Sequence, residues 1–295
     1  MPIYVSSGAF RTRYLPDIVR GAEALGHPYL ELSSGVAHFP DLDEYVPALK
    51  QSSLHLLVHN YFPAPARPFV LNLGALDPAV LQDSREHVRR CLSLSSDLGA
   101  RYYSVHSAFV LGLNPEVLGK PAEQASIRSR IGPEERQESL SIFTESLKIL
   151  AKEAADFGLG LLVENNVISP EYIRLRGVDP FLMTTAAEIE DVFARVGASN
   201  LGLLLDVAHA RVSASALGFD AGNFVQRLKP YIKALHLSDN DGQEDQNLPI
   251  RDDSWFWPHL HGLGGLDAVI EVYEIDDATI KSQIEIVRQQ LDSLG

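Results

Sequence analysis

Seven apolar runs recur along the chain, and each carries an acidic or histidine side chain at its polar end. They read YLELSSG with Glu31, LHLLVHN with His59, YYSVHSA with His106, GLLVENN with Glu164, LGLLLDVAH with Asp206, IKALHLSD with His236 and AVIEVYE with Glu271. A further strand-like run, IYVSS, lies at the start. Short runs rich in β-branched and large apolar residues suit strands buried on both faces, as in a parallel sheet. Between them lie segments with helical periodicity, among them LPDIVRGAEALG, DPAVLQDSREHVRRCLSLSSDLGA, GPEERQESLSIFTESLKILAKEAADFG and TAAEIEDVFARVGA. Asp77 with Pro78 reads as a helix start, Gly99 as its stop, and Gly132 with Pro133 as the next start. Strand and helix alternate in order, which predicts βα units closing into an α/β (β/α)8 TIM barrel. The seventh helix should be short or irregular, because only DDSWFWPHL, interrupted by Pro258, is left to form it.

In such a barrel the polar strand ends gather at one mouth, the face on which these folds keep their chemistry. Extra length collects in residues 61–77, 107–132, 167–184 and 237–253, all after strand ends, whereas the returns LGHPY and FGLG are tight. Long loops on the C-terminal face are therefore expected. With 295 residues, 45% of them hydrophobic, the chain exceeds the roughly 250 residues of a plain barrel by only a few loops. No repeat or linker divides it, so residues 1–295 read as one domain.

Composition narrows the partners. The opening MPIYVSSGAF has no basic region followed by a long apolar stretch, and no run reaches the about 18 residues a bilayer span needs. A cytoplasmic protein is expected. The lone Cys91 lies in a helical pattern, excluding a disulfide within the chain. With 39 acidic and 25 basic residues the net charge is −14, which disfavours nucleic acid as a partner. Phe39 and Phe62, read as exposed apolar residues, leave a homo-oligomer open.

The strongest constellation is Glu164, Asp206, His236 and Glu271, from the inferred fifth to eighth strands. Three carboxylates and an imidazole make a site for a divalent metal ion, Zn2+ or Mn2+ foremost, with Mg2+ or Co2+ as alternatives. A lone strand-end carboxylate could instead cap a helix. Four on successive strands, each after an apolar run, argue against that reading. His59 and His106 could hold a second metal with Glu164 bridging, or bind a substrate hydroxyl. His209, three residues after Asp206, could bind a substrate oxygen or shuttle a proton. Asn60, Tyr61, Asn165 and Asn166 follow metal-type residues and could donate to substrate hydroxyls, and Trp257 or its aromatic neighbours could stack on a sugar ring. Arg11, Arg13, Arg128, Arg130 and Arg136 could receive an anionic group, and the GLGG run at 262–265 could approach a phosphate. IYVSSGAF lacks the paired histidines of an amidohydrolase.

From LLVEN with Glu164, LLLDVAH with Asp206 and His209, and HLSDNDG with His236 and Asp239, the chain resembles the xylose-isomerase-like TIM-barrel superfamily, over residues 1–290. That superfamily includes sugar-phosphate isomerases and epimerases, inosose dehydratases and type IV AP endonucleases. The resemblance implies that Glu164, Asp206, His236 and Glu271 bind the principal metal, with His209 beside it and Asp239 near substrate. For Glu271 the alternative is Glu274, less suitable because IEV still reads as strand. It further implies a metal-dependent isomerase or epimerase on a small carbohydrate, with Glu164 and Glu271 moving the proton through an enediolate. Two departures count. The endonuclease branch holds a further metal with a D-x-H pair; here Asp245 matches, but Asn247 replaces the histidine. The ketose 3-epimerase branch expects an arginine soon after the seventh-strand histidine; here the first is Arg251. A metal-dependent phosphodiesterase is the runner-up reading, and a non-catalytic carbohydrate-binding barrel the third.

Overall fold

The computed structural model describes residues 2–117, 120–127 and 131–294. Eight parallel strands close into a barrel in sequence order: β1 (Ile3–Ser6), β2 (Tyr29–Leu32), β3 (His55–His59), β4 (Tyr102–His106), β5 (Gly160–Glu164), β6 (Leu201–Asp206), β7 (Ile232–Leu237) and β8 (Asp267–Ile270). Helices α1 (Leu15–Leu25), α2 (Leu42–Gln51) and α3 (Pro78–Asp97) follow the first three strands. After β4 come α4 (Pro121–Ser126) and the long α5 (Pro133–Asp156); after β5, α6 (Pro170–Arg176) and α7 (Ala186–Val196). After β6 come α8 (Val207–Leu217) and α9 (Ala221–Leu228), and α10 (Asp277–Ser293) follows β8. Between β7 and β8 there is only a single 3-10 turn at Trp257–His259. Pro258 explains it, since a proline interior to a helix removes a donor and clashes with the preceding turn.

Caps match the start signals read in the chain. Asp77 accepts from the Ala79 N–H at 2.8 Å to open α3, and the Glu135 carboxylate accepts from the Gly132 N–H at 2.9 Å to open α5. The helices bury one face against the outer side of the strands, where Val5, Val58, Val105, Val163, Leu203 and Leu235 join the main apolar core.

Inside the barrel, a second layer contains Tyr4, Leu57, Tyr102, Leu162, Leu204, Ala234 and Val269. Side chains alternate across a strand with period two, so the residue two positions on points into the same interior, one layer nearer the mouth. Two on from Leu57 is His59; from Leu162, Glu164; from Leu204, Asp206; from Ala234, His236; from Val269, Glu271. The apolar layer thus seals the barrel beneath a polar layer that the strand periodicity alone assembles.

Three expectations are corrected here. Phe62 is buried in the core rather than exposed, and Phe39 packs partly against it. The GLGG run precedes β8 and so lies at the N-terminal end of that strand, away from the mouth; Gly262 donates to Leu294 O. Arg11 donates to Glu274 O, Arg13 to Gly35 O, and Arg136 is paired with Glu188, so these arginines are engaged in holding loops. Arg128 and Arg130 lie outside the described residues. No described helix is long and apolar enough to cross a membrane.

Cys91 is fully buried on α3, and burial pushes its thiol up to about 12. A thiol reagent at pH 8 is therefore expected to leave the folded protein unlabelled and to react once per chain in denaturant, because thiolate is the nucleophile. Mass spectrometry after timed labelling checks this; rapid native labelling would contradict the packing.

Candidate metal centre

The four strand ends deliver Glu164, Asp206, His236 and Glu271 to one point: each offers a donor atom, all within 4.8 Å of one another, and all four residues are buried. Glu271 lies one residue beyond β8 but keeps the ladder, its N–H donating to Leu237 O at 2.9 Å. Glu274 is exposed and turned away with φ +52°, so Glu271 is the carboxylate that faces the cluster. His236 Nδ1 lies 2.9 Å from Glu271 Oε2 and 3.5 Å from Glu164 Oε1. Asp206 uses one oxygen, Oδ1, to accept the His209 N–H at 2.7 Å and cap α8, leaving Oδ2 for the cluster.

Five buried polar atoms here have no hydrogen-bond partner: both oxygens of Glu164, Asp206 Oδ2, His236 Nδ1 and Glu31 Oε1. An unsatisfied buried polar group costs about 1–3 kcal/mol, and more when charged. Short contacts that make no hydrogen bond, with lone pairs converging on one spot, are the arrangement of ligands around a cation. Three carboxylates and one imidazole suit a divalent ion of the Mn2+, Zn2+, Mg2+ or Co2+ kind, so the donor set fits such a group.

The electrostatics agree. Burial opposes ionisation of Glu164, yet His106 and His236 outweigh it and hold the carboxyl well below its usual range. Glu271 is likewise brought down to about 2, burial being overcome by His236. Burial also opposes protonation of His236, but Glu31, Glu271 and Glu164 reverse the balance and raise it well above an ordinary imidazole. Asp206 is raised well above its normal value, by burial first. Glu164 and Glu271 thus carry negative charge in a dry site, and a bound cation can take the place of the protons that His236 and Asp206 tend to keep there.

A second donor set, His59, His106 and Glu164, also lies within 4.8 Å. Burial lowers His59 to about 3, keeping its ring neutral, and Nδ1 sits 3.0 Å from Ser104 Oγ. The tautomer donating there leaves the Nε2 lone pair 3.4 Å from Glu164 Oε2. His106 Nε2 stands 3.0 Å from the same oxygen and is half-exposed to the mouth. His209 hydrogen-bonds Asn165 O through Nδ1 at 2.9 Å and faces Asp245 Oδ2 through Nε2 at 3.3 Å. Burial opposes its protonation, but Asp206 and Asp245 prevail and raise it. Asn247, the residue standing where the D-x-H pair would have its histidine, adopts φ +47°.

Asn60, Asn166, His106, His209 and Asp245 all line one cavity at the mouth, of about 400 Å3. Asn60 Oδ1 is buried and unpartnered. Three expected contacts, Trp257, Asp239 and Asn165, are not brought to this cavity. Trp257 is buried in the main core, its indole N–H donating to Arg251 O at 2.7 Å. The Asp239 carboxylate is occupied by Arg211 at 2.8 Å and the Ser254 hydroxyl at 2.7 Å, and so organises the loop after β7. Asn165 spans Asp206 through paired bonds to its backbone at 2.9 and 3.0 Å, a positioning role rather than a substrate contact.

The sequence reading named Glu31 only as a strand-end carboxylate and missed Tyr273 and Ser104 as partners. Glu31 accepts from His236 Nε2 at 3.2 Å and is fully buried. The Tyr273 hydroxyl donates to Glu271 Oε1 at 2.7 Å, and its ring lies over Gly8, where a Cβ would come within 2.7 Å of it. Ser104 orients His59. The period-two pattern is the signal that marks Glu31 and Ser104, two residues on from inward Tyr29 and Tyr102; nothing local marks Tyr273.

The family model described as "Xylose isomerase-like TIM barrel" matches residues 19–274. The chain belongs to that family. Among solved structures, a D-tagatose 3-epimerase-like protein is similar at 19% identity and TM-score 0.67, covering 99% of this chain and 100% of that one. A D-psicose 3-epimerase from Clostridium cellulolyticum, solved with D-tagatose, aligns at 15% identity and TM-score 0.66, covering 99% of this chain and 98% of that one. A Thermus thermophilus protein soaked with zinc chloride reaches 23% identity and TM-score 0.63, covering 98% of this chain and 99% of that one. At these identities the likeness is one of fold. No curated protein matches the chain significantly.

Proposed function

We propose that the protein is a divalent-metal-dependent isomerase or epimerase acting on a small sugar or sugar derivative. The observation that carries this reading is the pair of buried carboxylates, Glu164 and Glu271, both held below the usual carboxylate range and both within 3.5 Å of His236 Nδ1, with the two oxygens of Glu164 and His236 Nδ1 left unpartnered. Glu164, Asp206, His236 and Glu271 would hold the ion. When bound, it supplies Lewis-acid polarisation of neighbouring substrate oxygens and offsets the charge that develops on deprotonating the carbon beside a carbonyl. One glutamate accepts that carbon's proton and the other returns a proton, giving exchange of configuration or of carbonyl position. Tyr273, bonded to Glu271, fixes the orientation of that carboxylate. His209 Nε2, at the cavity wall, holds a substrate hydroxyl; Asn60 and Asn166 bind further hydroxyls.

The second reading, a metal-dependent phosphodiesterase, is favoured by the His59, His106 and Glu164 set. Elemental analysis of protein purified without chelator, repeated on His59→Ala, separates the two. One ion per chain, retained in the variant, is expected. Two or more ions, with one lost in the variant, would make phosphoester hydrolysis the leading function.

A further inference from the structure

The cavity beside the donor cluster has two unlike sides. His106, His209 and Asn60 line it beside the donor cluster, and Val70, Phe109, Leu113, Tyr172 and Phe181 line it as an apolar wall. Most of this wall belongs to an apolar cluster separate from the barrel core, assembled by the loops after β3, β4 and β5. It is a built surface. Phe109 and Phe181 form an antiparallel bridge with their rings edge-on at 6.1 Å, Tyr172 meets Phe181 at 5.9 Å, and Arg136 holds the Phe181 carbonyl at 3.0 Å.

A free monosaccharide carries a hydroxyl on nearly every carbon, and each one buried needs a partner. The histidine side supplies such partners. The wall's five side chains supply only the Tyr172 hydroxyl, which is buried and unpartnered, with Gln124 and Ser169 the polar residues flanking them in the lining. Glu244 and Asp245 also line the cavity, and no lysine or arginine lines it among the described residues, so a phosphate there would find no cationic side chain to balance it. Pockets in the range of about 300–1,000 Å3 accommodate ligands larger than one sugar ring.

We infer that the substrate is an uncharged sugar derivative bearing an apolar group at the end remote from its carbonyl. The hydroxycarbonyl end lies at the donor cluster, the apolar group against Phe109, Phe181 and Leu113, and the Tyr172 hydroxyl bonds the linking oxygen. The placement of the carbonyl rests on the isomerase reading; the apolar wall does not.

The test is calorimetric titration of the Mn2+-loaded protein with the four D-ketohexoses, their 6-O-benzyl ethers and D-fructose 6-phosphate. At least one benzyl ether is expected to bind at least about tenfold more tightly than its parent sugar, and the phosphate more weakly than either. Leu113→Asp, on a loop, should reduce that ratio below about threefold with the melting temperature kept, and Tyr172→Phe should reduce it by a smaller factor. No binding by any benzyl ether, equal binding of ether and parent, or tightest binding by the phosphate would each overturn the inference. Hydrogen exchange next to the carbonyl is read on the same compounds. Preference for the ether without exchange leaves the cavity assignment standing and removes the isomerase reading; exchange without preference does the reverse.

Discussion

Glu164→Ala is expected to strip the protein of its bound ion and to lower kcat/KM by at least about 10²–10⁴-fold, the range of a lost general base, before the missing ion is counted. Both oxygens of Glu164 are buried without a hydrogen-bond partner, and they face four imidazoles: His236 and His209 at 3.5 and 3.4 Å from one oxygen, His59 and His106 at 3.4 and 3.0 Å from the other. The fold should survive the change, because the apolar layer of Tyr4, Leu57, Leu162 and Leu204 lies beneath and is untouched. Metal content by elemental analysis and the melting temperature in chelator check both halves. A variant that retains stoichiometric metal would contradict the assignment of Glu164 as the central ligand.

Glu31→Gln should weaken metal affinity by about 10–100-fold while leaving the ion count at saturation unchanged. His236 presents Nδ1 to Glu271 and Glu164, and its Nε2–H is held by Glu31 at 3.2 Å. A carboxylate behind a ligand imidazole fixes its tautomer and makes it a stronger donor; glutamine keeps the shape and the acceptor but not the charge. The sign in the metal-free protein follows from the same pair. Glu31 is the leading charge that raises His236, so in the variant the imidazole should lose its proton at lower pH than in the parent. Competition titration with a fluorescent chelator measures the affinity, and NMR of the histidine ring protons measures the titration. An unchanged affinity would mean that Glu31 only fills space.

The barrel was legible because its evidence is local. Each strand is a run of four to six mainly apolar residues with a polar one at or next to its end, and inward alternation carries His59, Glu164, Asp206, His236 and Glu271 to the mouth without any knowledge of tertiary contacts. Glu271 was preferred to Glu274 because IEV still reads as strand. What failed depended on distant partners. Asp239 looked available beside His236, but Arg211, 28 residues earlier on α8, already holds it. Trp257 looked like a stacking ring because the segment between β7 and β8 lacks a periodic pattern; it folds as a short turn that drives the indole into the core instead. The apolar wall of the cavity was invisible for a related reason: its residues come from three long loops, where neither period two nor period 3.6 reports which side chains face one another.

The central claim is proton transfer at a carbon next to a carbonyl, performed by Glu164 and Glu271 with a divalent ion in place. The most direct measurement is NMR of sugars incubated in D2O with the metal-loaded protein. Deuterium appearing at that carbon, dependent on the ion and absent with Glu164→Gln, is the predicted result. No incorporation into any ketose or aldose by the metal-loaded protein, together with metal-dependent hydrolysis of bis(p-nitrophenyl) phosphate, would contradict the account and reassign the site to phosphodiester cleavage.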